Sequence, residues 1–197
     1  MARCGVEQNI KYFDRATENK LYYLSLLERA KKRDPDAVLK LALNWYHGTY
    51  TVRDERKGLY YLEMADMLGA DIPSAYYIFM GDERWHGTFF EKDTEKALLY
   101  YRKAADKGRE FAYECIGDIY YESDPADYEK AYQCYMTPEN KSPDALYKLG
   151  EMYRMGLYVE QNIKKALEYY RETINTGYTI DDYYILAEKR LRELEAV

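Results

Sequence analysis

The amino-acid sequence predicts an all-α chain in which pairs of helices stack in file as a solenoid. A Lys-Ala-like step recurs at Lys57-Gly58, Lys96-Ala97, Lys130-Ala131 and Lys165-Ala166, at intervals of 39, 34 and 35 residues. Three residues before each lysine stands a residue suited to cap a helix: Asp54, Asp93, Asp127 and Asn162. Fifteen residues after three of those caps comes a glycine, at Gly69, Gly108 and Gly177. Self-similarity at this period is the mark of a repeat array.

The elements follow in order. An Asp or Asn ahead of a helix accepts a hydrogen bond from first-turn N–H groups that have no partner inside the helix. A glycine beyond the last turn adopts the left-handed conformation that stops it. Cap and stop therefore bound one repeated helix, B. Six residues before the same three caps lies another glycine, at Gly48, Gly87 and Gly156, which ends a preceding helix, A. The starts of A read Asp34-Pro35-Asp36-Ala37, Ile72-Pro73-Ser74-Ala75 and Ser142-Pro143-Asp144-Ala145. Proline at the first helical position is pre-organised and loses no hydrogen bond. Between start and stop, apolar and small residues recur at helical period, as in Leu41-Ala42 to Trp45 and Leu149-Gly150 to Tyr153. The small residue lets a neighbouring helix come close.

These residues carry a family resemblance. Leu-Gly-x-x-Tyr-x-x-Gly, a loop with an acidic cap, then Lys-Ala-x-x-Tyr-Tyr-x-x-Ala-x-x-x-Gly resembles the Sel1-like repeat, a relative of the tetratricopeptide repeat. The fullest copies are Leu149 to Gly177 and Met80 to Gly108. The resemblance covers about residues 34–195 and implies a right-handed α-solenoid of about four helix-pair repeats, with partial units at both ends. The organisation expected is a degenerate helical unit at 1–33, repeats at about 34–71, 72–109, 110–141 and 142–180, and a capping helix at 181–197, all in one continuous domain. The third repeat departs from the pattern. It has Ser123 in place of the loop glycine, its loop is two residues short, and Pro138 must end or kink its helix B early, with a local bend in the stack. The sextet Val6 to Lys11 repeats Val159 to Lys164, which suggests that the N-terminal unit ends in a B-like helix from about Asn19 to Arg33.

Composition bounds the function. The net charge of −6 argues against a nucleic-acid partner, since phosphates require a basic field. No uncharged apolar run is long enough to span a membrane, and the first residues lack the apolar core of a signal peptide. Cys4, Cys115 and Cys134 are odd in number and lack metal-ligand spacing, which fits a reducing compartment and a cytoplasmic location. Tyrosine is the outlier, with 25 of 197 residues. Its flat ring fills a helix seam while its hydroxyl reaches water.

No nucleophile elbow, phosphate loop or dinucleotide fingerprint is present, so no catalytic residue and no cofactor are expected. The resemblance implies that A helices line a concave face. By analogy with tetratricopeptide units, its open positions are two, five and six residues after the Leu of each Leu-Gly step. These give Leu43, Tyr46 and His47; Asp82, Trp85 and His86; Asp118, Tyr121 and Glu122; and Glu151, Arg154 and Met155, with Glu114 and Tyr147 one turn earlier. An aromatic row thus runs beside an acidic row, a groove suited to a protein or peptide segment with basic and apolar side chains. The alternative reading is that the aromatics pack against neighbouring A helices and the acids keep the surface soluble. His47 and His86 occupy equivalent positions in successive repeats, too far apart to converge on one metal ion, and each suits the negative end of its helix. Cys115 and Cys134 read as buried thiols rather than a bridge. The function expected is a protein-interaction module, an adaptor or scaffold. The alternatives are a self-associating structural protein, a homodimer through exposed tyrosines, or an inhibitor that blocks a partner.

Overall fold

The computed structural model describes residues 4–139, 141–177 and 182–195, with side chains from residue 17 onward. Among these residues there are ten helices and no strand. After α1 (Cys4–Lys31), the A helices are α2 (Pro35–His47), α4 (Ser74–His86), α6 (Phe111–Glu122) and α8 (Pro143–Met155). The B helices are α3 (Glu55–Met67), α5 (Thr94–Asp106), α7 (Tyr128–Met136) and α9 (Ile163–Asn175). The final helix is α10 (Asp182–Glu195).

The caps explain these boundaries. Asp54, Asp93, Asp127 and Asn162 each accept a hydrogen bond from the backbone N–H of the lysine three residues on. Each cap residue also donates its own N–H to a carbonyl near the end of the preceding A helix: Trp45, Arg84, Tyr120 and Tyr153. Those four acceptors share one repeat position, so the shortened third loop still closes on the same carbonyl. Ser123 bridges that loop by donating to the carbonyl of Tyr120 or of Pro125. Helix α7 stops at Met136, ahead of Pro138, so the early end expected there is real. Gly48, Gly87 and Gly156 all have φ between 71° and 73°, as the stop signal requires.

Two details differ from expectation. Pro35 and Pro143 occupy the first turn behind the caps Asp34 and Ser142, but Pro73 precedes α4 as an N-cap residue with no side-chain cap bond. At the N-terminus, the helix expected from about Asn19 begins at Cys4. The sextet at 6–11 is helical, whereas its copy at 159–164 forms the end of a loop and the start of α9.

Packing runs along the chain. Helices pack on their neighbours in sequence, and α10 also reaches back to α8. One buried cluster extends from Val38 to Ile119 through the first three repeats, a second joins Tyr135 to Leu149 and Met152, and a third joins Tyr170 to Ala187 of α10. Leu26 ties α1 to Ala37 and Leu41 of α2. Each pair of helices therefore buries its apolar side against the next pair rather than around a common centre, as in a solenoid.

Inside each repeat, A meets B over a glycine. A Cβ on Gly117 or Gly150 would lie 2.6 Å from the ring of Tyr135 or Tyr170, and Gly81 is equally closed by Tyr101. The three rings are at most 2% exposed. Their hydroxyls do not reach water as expected: they donate to the carboxylates of Asp82, Asp118 and Glu151, each the residue after the glycine. Repeat one has Ala42, Leu43 and Leu62 at the corresponding positions, so glycine, acid and tyrosine are replaced together.

Candidate functional site

Asp82, Asp118 and Glu151 occupy one repeat position on successive A helices, and two of the three are ion-paired within the stack. Asp118 accepts from Tyr135 and from Lys148 of α8, each at 2.7 Å. Glu151 accepts a two-pronged bond from Arg154 and a further bond from Arg190 of α10. Burial alone would raise the Glu151 carboxyl, but its bonds from Arg154 and Tyr170 and the charge of Arg190 outweigh burial and hold it below the usual range. Asp82 accepts from Tyr101 and has no ion pair among the described residues. Burial raises its carboxyl, opposed in part by Tyr101 and His86.

The aromatic row divides in the same way. Tyr46 stands edge-on to Tyr76 and tilted against Phe79. Tyr121 packs against Tyr128 and Tyr135. The Trp85 ring is already faced by Lys92 of its own loop, 3.9 Å from the centroid. Tyr147 is 8% exposed between Tyr170 and Tyr183, and Glu151 is 7% exposed. These two, expected to be open, are interior residues because α10 lies against α8. Arg154 is half-buried on Glu151, while Glu122 and Met155 stay exposed. Glu114 is buried too, and desolvation pushes its carboxyl up to about 7.

The structure brings Tyr46, Asp82 and His86 together in a cleft of about 250 Å³ between the first two repeats. Glu55, Leu59, Glu83, Thr88 and two phenylalanines, Phe79 and Phe89, complete its lining. Glu83 accepts from the amides of Phe89 and Phe90, which fixes the loop wall. His47 lies outside the cleft, its Nε2 2.7 Å from the Tyr76 hydroxyl. The groove positions inferred from the repeat did not include Phe79 or Phe89. The available signal was a phenylalanine next to the Met80 core position and a Phe-Phe pair in a loop. Among the described residues no group of three or more His, Cys, Asp and Glu side chains could hold a metal ion, and Cys115 and Cys134 are free thiols. No helix among them is long and apolar enough to cross a membrane.

Comparison with known families matches the Sel1 repeat at residues 35–69, 74–108, 116–135 and 143–175. The chain belongs to the Sel1 repeat family. Its matched segments fall on the four helix pairs α2–α3 to α8–α9, the third beginning inside α6, and the Sel1 repeat is a protein-interaction fold. Among curated relatives, the chain is 27% identical over 152 residues to the uncharacterized protein NMB1327 of Neisseria meningitidis serogroup B, covering 77% of this chain and 32% of that one. It is 31% identical over 109 residues to the ERAD-associated E3 ubiquitin-protein ligase component HRD3 of Candida glabrata, covering 53% and 13%. The chain thus spans a third or less of these relatives. Among solved structures, c5321, a protective antigen of uropathogenic Escherichia coli displaying an SLR fold, superposes with a TM-score of 0.63 at 23% identity, over 86% of this chain and 35% of that one. A Sel1 repeat protein from Oxalobacter formigenes superposes with a TM-score of 0.56 at 25% identity, over 82% and 66%.

Proposed function

We propose that this Sel1 repeat chain is a non-catalytic adaptor that holds a segment of a partner protein along the A-helix face of its first three repeats. The observation that carries the reading is the cleft at Tyr46, Asp82 and His86, where Phe79 and Phe89 leave large apolar rings open to solvent. Aromatic side chains at such a position supply rigid contact area at small entropic loss. The fourth repeat contributes less, because α10 covers Tyr147 and Glu151. One relative is named as a component of a ubiquitin ligase, a role in an assembly, which is consistent with an adaptor. A cytoplasmic location is proposed on the free thiols Cys115 and Cys134.

The test is affinity capture from lysate of the source cell. Wild type and a Tyr60→Ala variant on the B row should retain the same partner. A Phe79→Ala, His86→Ala double variant, folded by its melting curve, should lose it. Retention by the double variant contradicts this reading.

A further inference from the structure

Asp82 differs from the other two carboxylates of its row because the next A helix brings it no charge. Asp118 is met by Lys148, which sits one residue before Leu149 on α8. The corresponding residue on α6, one before Ile116, is Cys115, and a neutral thiol brings no positive charge to a carboxylate. Asp82 therefore keeps the Tyr101 hydroxyl and no ion pair to a lysine or arginine among the described residues, the one charge that favours its ionised form being that of His86 in the same cleft. It lines the cleft where Phe79 is 43% exposed and Phe89 is 38% exposed. The other two carboxylates there are engaged, Glu55 with Arg53 and Glu83 with the loop amides of Phe89 and Phe90. No lysine or arginine lines the cleft.

We propose that this cleft seats an arginine or lysine side chain of the partner protein, with an apolar neighbour resting on Phe79 and Phe89. The partner then supplies to Asp82 the positive charge that Lys148 supplies to Asp118. A charged hydrogen bond in a half-dry cleft is stronger than one in water. Ring faces attract the same cation, and the two phenylalanines lose contact with water. The inference rests on the A face being the binding face.

The test selects a displayed library of random dodecapeptides on the full chain and measures the enriched peptides on variants. Asp82→Asn removes the charge and keeps the acceptor for Tyr101. Cys115→Lys installs the cation that the fourth repeat carries. Enriched peptides should share an Arg or Lys beside an aromatic or aliphatic residue. Affinity should fall about tenfold or more in both variants and change less than about twofold in Glu168→Gln, an exposed carboxylate on the B helix α9. Should Cys115→Lys fail to fold, Asp82→Asn alone decides. Peptides without a cation, or affinity indifferent to Asp82→Asn, overturn the cation seat. If such peptides still lose affinity with Trp85→Ala, the A face binds partners and only the cation seat is lost. If no enriched peptide responds to any A-face variant, both readings fall.

Discussion

In repeats two to four the residue after each glycine is an acid, and the tyrosine that covers the glycine bonds that acid. Removing one member leaves the others poorly placed. Gly81→Ala forces the Tyr101 ring away and should destabilise the fold by about 1–3 kcal/mol in urea melts. Adding Asp82→Leu and Tyr101→Leu converts the site to the Ala, Leu and Leu of repeat one and should recover part of that loss. Losses that simply add would contradict the linkage. The sequence showed that a small residue permits close approach. It did not show that a tyrosine ring fills the space, because ring and glycine lie 20 residues apart in Gly81 and Tyr101.

Between elements, α6 and α8 press four charged groups together: Glu114 and Asp118 on one, Asp144 and Lys148 on the other. Lys148 lies 2.7 Å from Asp118 and 3.0 Å from Asp144, so one cation serves several acids. Desolvation raises Asp144 to about 6 and Glu114 to about 7, with Ser142 and Lys148 opposing the rise at Glu114. A carboxyl raised in the folded state holds a proton that the unfolded chain releases. Its contribution is full below the unfolded value of 4.5 and declines as pH rises to about 7. Glu114→Gln should therefore flatten stability between pH 5 and 8 and, at pH 8, stabilise by on the order of 1–2 kcal/mol in thermal melts. An unchanged pH profile would contradict the burial of that charge. Helix ends were the most legible feature, since Asp54, Asp93, Asp127 and Asn162 act within one turn of their own sequence. The sextet at 6–11 misled for the converse reason. Identical residues form helix there and loop after Gly156, because context decides a marginal local preference.

At the scale of the molecule, stacking the pairs puts one helix from each repeat on a shared face. Contacts between successive A helices, Tyr46 with Phe79 and Asp118 with Lys148, join them along that face. Which residues remain open on it depends on side chains that close over them from the adjoining loop or the next helix. Arg190 closes over Glu151, Lys92 over Trp85 and Lys148 over Asp118, while Cys115 brings Asp82 no positive charge. None of those pairings follows from periodicity. The most direct measurement places a photoreactive phenylalanine analogue at Phe89, in the loop wall of the cleft, and separately at Tyr60, on the B row, and cross-links each to the captured partner. Adducts at 89 and none at 60 are the predicted result; adducts at 60, with 89 silent, would contradict it.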